Sequence, residues 1–95
     1  MCIYFNKLTN NQKATVRAIF EDLPRSDIPW IRVLDLFHGL NGSVNISAHI
    51  IRVSIKLAEE PRVGIFTCLD ERGCVSRHMI RDLRDLLSGV GVEPQ

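Results

Sequence analysis

Apolar and polar positions run in two rhythms along this chain, and the change between them divides it. Val16, Ile19, Phe20 and Leu23 recur at i, i+3, i+4 and i+7, which places them on one face of an α-helix. Thr9 and Gln12 precede them in capping-box form, so a helix of about three turns is expected to begin just after Thr9. Leu23-Pro24 ends it, because the residue before a proline is pushed out of the α region. Trp30, Val33, Leu34, Phe37 and Leu40 then repeat the helical spacing over about 29–40 and make an apolar face about 100° wide. Pro29 suits a first helical turn, where its missing N–H costs nothing. Asp27 puts negative charge near the positive helix end, and Asn41-Gly42 offers a left-handed cap. With so short a connection the two helices are expected to pack on each other.

Past Gly42 the period becomes two. Val44, Ile46 and Ala48 alternate with polar neighbours; Ile51, Val53, Ile55 and Leu57 alternate in the opposite phase. A one-residue slip exchanges the faces of a strand, so the change of phase near His49-Ile50 predicts a tight turn or a bulge. Glu59-Glu60-Pro61 reads as a turn, residues 63–68 as a third strand, and residues 69–73 as an exposed loop. Gly64 lies inside that third strand, where a neighbouring backbone or side chain can come close. Ser76 stands where a helix cap is needed, and Met79, Ile80, Leu83, Leu86, Leu87 and Val90 form the buried stripe of a last helix. The order α-α-β-β-β-α predicts an α+β domain, with helices packed on one face of a three-stranded antiparallel sheet. Residues 1–8 carry too little pattern to separate an edge strand from a packed arm.

Ninety-five residues suffice for one domain with a modest core, an arm over 1–8 followed by a body over 9–95. A net charge of +1 excludes a polycation that coats nucleic acid by charge alone, though not a local basic face. No apolar run approaches the roughly 20 residues that cross a bilayer, and Met1-Cys2-Ile3-Tyr4-Phe5 lacks the basic start of a signal peptide. A cytoplasmic protein without membrane partners is expected. Cys2, Cys68 and Cys74 are odd in number and form no Cys-x-x-Cys pair, so neither a disulfide framework, a metal site nor any other cofactor is expected.

Phosphate loops, zinc-finger spacings and nucleophile elbows are all missing. The chemistry left to consider is imidazole and guanidinium. His49, at the start of the second strand, could serve as a general acid or base when a 2′-hydroxyl attacks its neighbouring phosphate, and Arg52 further along could hold that phosphate. A surface histidine without a task is the alternative. His38, at a helix end where cations suit the dipole, reads as structural. Arg77, Arg81 and Arg84 share a side of the last helix beside His78, a candidate phosphate-facing surface. Asp82 and Asp85 could instead neutralise those arginines along the helix. Interleaved aromatics for base stacking are absent, which leaves backbone or shape reading of a duplex.

Ile19-Phe20-Glu21-Asp22, Arg25-Ser26-Asp27-Ile28-Pro29-Trp30, Val33, Leu36-Phe37 and Leu40-Asn41-Gly42 resemble the first half of the longer HicA-type toxins. Ile51-Arg52-Val53-Ser54-Ile55, Arg62-Val63-Gly64-Ile65-Phe66 and the tail from Arg84 to Pro94 resemble the second half. The resemblance covers most of residues 15–94 and rests on the order and spacing of several weak motifs. It implies a fold like that of double-stranded-RNA-binding domains, metal-independent mRNA cleavage, and an antitoxin that covers the active site. The site departs from the family pattern. Ser47-Ala48-His49-Ile50 stands where the family carries Gly-Ser followed by His or Arg, and Asp70 stands where a histidine is expected. Arg72 and Arg77 take the place of the family's basic approach to the last helix.

Two expectations follow. One is a HicA-like, RNA-binding toxin, a ribonuclease with His49 as acid/base and Arg52, Arg72, Arg77, Arg81 and Arg84 on RNA phosphates, held in check by an antitoxin. The other is the same scaffold without cleavage, an inhibitor or adaptor that binds a protein or a nucleic acid. Asp70-Glu71 favours the second and His49 favours the first.

Overall fold

A computed structural model describes residues 3–21, 27–56, 61–68 and 72–94. Helices α1 (Ile3–Asn6), α2 (Asn10–Ile19) and α3 (Trp30–Gly39) precede strands β1 (Ser43–Ser47), β2 (Ile50–Ile55) and β3 (Arg62–Thr67), and helix α4 (Arg77–Gly89) closes the chain. Beyond the single turn of α1, this is the α-α-β-β-β-α order and the α+β class read from the sequence.

The N-terminal arm is helical where it was open between strand and arm. α1 buries Phe5, and Leu8 follows it into the core. The Lys13 ammonium and the Arg17 guanidinium lie 5.8 Å and 5.2 Å from the centre of the Phe5 ring, close enough for cation–π attraction. The capping box forms as expected: the Gln12 amide donates to the Thr9 hydroxyl at 3.2 Å, and the Thr9 amide donates to Gln12 Oε1 at 3.0 Å. α2 ends at Ile19, before the stop expected at Leu23-Pro24, which lies outside the described residues. Pro29 sits one place earlier than expected, as the extended N-cap of α3. At the other end Asn41 adopts φ +56°, the Gly42 amide donates to the Phe37 carbonyl at 2.8 Å, and the Asn41 amide donates to that of His38. That is a Schellman cap with asparagine in the left-handed position.

The sheet is antiparallel in the order β1-β2-β3. Ala48 and His49 both have positive φ, +49° and +66°, and join Ser47 to Ile50 as a two-residue type I′ turn. This turn is the change of phase read from the alternation. Ile51, Val53, Ile55 and Phe66 face the helices and are buried, while Ile50, Arg52, Val63 and Ile65 lie exposed on the opposite face. Phe66 fills the centre of the core, its ring 6.3 Å from those of both Trp30 and Phe37. A Cβ at Gly64 would come within 2.8 Å of Leu86, so the missing side chain is what lets α4 lie close over β3. Among the described residues, no helix is long and apolar enough to cross a membrane.

Candidate nucleic-acid interface

The expected site residues divide among three surfaces. His49 is exposed at the tip of the β1–β2 hairpin. Its carbonyl accepts from the Cys68 amide at 2.7 Å, so the tip is tied to the end of β3. The first turn of α4 starts at the same end of the sheet. Thr67 shares an open pocket with Trp30, Gly73, Cys74, Ser76, His78 and Met79 there. Short backbone ties hold this corner: Trp30 donates to the Gly73 carbonyl at 3.0 Å, and Val75 donates to that of Ile28 at 2.8 Å. Ser76 takes the N-cap position, yet its hydroxyl makes no capping bond to the first-turn amides of α4. Arg72, Arg77 and His78 are exposed around this corner.

Arg52 belongs elsewhere. It lies at the middle of the helix-free face, between Asn45 and Ile65 in register. The sheet lies between Arg52 and the arginines of α4. Arg84 is taken out of the candidate surface altogether. Half-buried, it donates from Nε to the Ile19 carbonyl at 2.5 Å and from its terminal nitrogen to the Glu21 carbonyl. These are carbonyls left over at the C-terminal end of α2, and a guanidinium is well shaped to satisfy two of them. Arg81 stays exposed on α4.

Among the described residues, no side chain is hydrogen-bonded to the His49 imidazole, and no group of histidine, cysteine and carboxylate side chains could hold a metal ion. Sequence reading did not find Trp30, Thr67 and Ser76 as neighbours of His78. They come from three separate segments and meet only through the pairing of β3 with β2 and the Pro29–Cys74 bridge. Compared with protein-family models, with curated proteins and with solved structures, the chain gives no match.

Proposed function

We propose that this chain is a HicA-like RNA-binding protein that grips phosphates at the corner formed by the His49 turn and the first turn of α4. The observation that carries this reading is the amino end of α4, which Ser76 does not cap, with Arg77 and His78 in its first turn at the end of the sheet where the hairpin tip lies. The amides and the guanidinium suit a phosphate oxygen, and the absence of stacking aromatics on the described surface suits a duplex backbone. Like double-stranded-RNA-binding domains, the scaffold sets helices against one face of a small antiparallel sheet.

Of the two forms this function can take, binding without cleavage has the better support. A general base needs a partner that orients it, and His49 has none among the described residues. Arg84 is engaged by α2, and Arg52 faces away. The other form, a ribonuclease controlled by an antitoxin, rests on the exposed imidazole itself.

One experiment separates them. Purified protein is mixed with labelled duplex and single-stranded RNA in a chelator, and both binding and chain cleavage are followed. Duplex binding that falls about tenfold in Arg77→Ala, without cleavage, supports the proposal. Cleavage that disappears in His49→Ala establishes the ribonuclease form instead. Absence of binding at any salt concentration defeats the RNA reading.

A further inference from the structure

We infer that this chain forms a symmetric dimer by pairing β1 with β1 of a second copy. β1 is an outer strand of the sheet, so among the described residues one of its sides has no strand neighbour. Native proteins guard such edges with charge, proline or a bulge. β1 has none of these: Ser43-Val44-Asn45-Ile46-Ser47 is exposed throughout and carries no charge. The other outer strand is guarded, with Pro61 and Arg62 at its start and Asp82 and Asp85 of α4 beside it.

The β1 sequence reads the same in both directions by residue class. An antiparallel pair centred on Asn45 therefore sets Val44 against Ile46, Asn45 against Asn45 and Ser43 against Ser47. Backbone geometry agrees with that centre. A two-residue turn is closed by a hydrogen-bonded pair, here Ser47 and Ile50, and the pairs alternate from there. Ser43, Asn45 and Ser47 thus spend their backbone groups on β2, while the N–H and C=O of Val44 and Ile46 point to the open side. With the two-fold axis at Asn45, Val44 of each copy exchanges both bonds with Ile46 of the other, and all four groups of each strand are satisfied.

The side chains match as well. A groove between α3 and β1 is lined by Ile31, Leu34, Asp35, His38, Val44 and Ile46. Ile31 is 69% exposed, Val44 37% and Ile46 43%, so apolar surface lies along the very edge that lacks a strand. A two-fold axis normal to the sheet keeps both helix layers on one side and merges the two grooves into one apolar seam. This isologous contact closes on itself and makes no fibre. A five-residue strand is only about 17 Å long, so the contact falls below the roughly 800 Å² per partner of a standard interface. The dimer is expected to dissociate in the micromolar range. It does not depend on the RNA reading, since it rests on the open side of β1 and not on the His49 turn or α4.

Sedimentation of the purified chain over a wide concentration range tests this. Mass rising from monomer to dimer is expected, and a monomer up to millimolar concentration overturns the inference. That second result is also what a foreign strand as the natural occupant of this edge would give. Asn45→Lys sets two ammonium groups against each other at the axis and should hold the protein monomeric with an unchanged circular dichroism spectrum. Val63→Lys, on the outer face of β3, should dimerise like the wild type. Opposed residues of a non-hydrogen-bonded pair are about 4.5 Å apart at Cα, within disulfide reach. With Cys2 and the exposed Cys74 replaced by serine, Asn45→Cys should therefore give a reducible covalent dimer under mild oxidant that the same background without it does not give. A dimer that survives Asn45→Lys, or no cross-link from Asn45→Cys, removes β1 as the interface.

Discussion

Arg84 and Ile19 are 65 residues apart in the chain and 2.5 Å apart in space, guanidinium Nε to backbone carbonyl. The bond fastens the middle of α4 to the last turn of α2 and satisfies a carbonyl that the helix cannot use itself. Charge-assisted bonds of this kind contribute about 1.5–3 kcal/mol. Arg84→Ala should lower stability by about 2 kcal/mol, read as an earlier midpoint in urea unfolding at unchanged slope. Arg77→Ala and Arg81→Ala, on exposed positions, should stay within about 0.5 kcal/mol of the wild type. Equal effects from all three would show that Arg84 has no special place.

Gly64→Ala tests the approach of α4 to β3. The added methyl would come 2.8 Å from Leu86 Cδ2 and 2.9 Å from Phe66 Cε2, and both side chains are buried. Overpacking of this order costs about 1–3 kcal/mol, more than the alanine gains from its better strand propensity. Thermal unfolding several degrees below the wild type is the expected outcome.

Gln12 is one of the few buried polar residues, and it holds two helices at once. It completes the Thr9 cap and donates from Nε2 to the Asp35 carbonyl of α3 at 3.1 Å. Gln12→Ala should cost about 1–2 kcal/mol through the lost cap and the orphaned carbonyl. Gln12→Glu keeps the cap but has no donor for Asp35, whose carboxylate also lies 3.5 Å from Nε2. It should be no better than alanine by chemical denaturation.

The β1–β2 turn carries strain that can be removed. Ala48 holds φ +49°, a region that costs an alanine about 1 kcal/mol and a glycine nothing. Ala48→Gly should stabilise the protein by a few tenths of a kcal/mol to about 1 kcal/mol, even after the larger unfolded-state entropy of glycine is counted. The gain would appear as a raised midpoint in urea unfolding at unchanged slope.

The elements that were readable ahead of the structure are those specified by local rhythm. Two full periods of apolar residues marked α2, α3 and α4, and the slip at His49-Ile50 located the hairpin turn to within a residue. α1, at four residues, is shorter than the pattern needed to recognise it. The candidate site was legible residue by residue and not as an arrangement. Arg77, Arg81 and Arg84 look equivalent by spacing, yet one of them meets carbonyls more than 60 residues away. Periodicity says which way a side chain faces on its own helix. It cannot say what the rest of the chain has brought to that side.

Only Leu40, Asn41 and Gly42 separate α3 from β1, and the Asn41 cap uses all three. Helix and strand are therefore two arms of one stiff bracket, and the gap between Ile31 and Val44 has a width decided by the chain before anything enters it. Whatever occupies that gap meets a mould already set, so its fit depends on shape and not on the protein's willingness to bend.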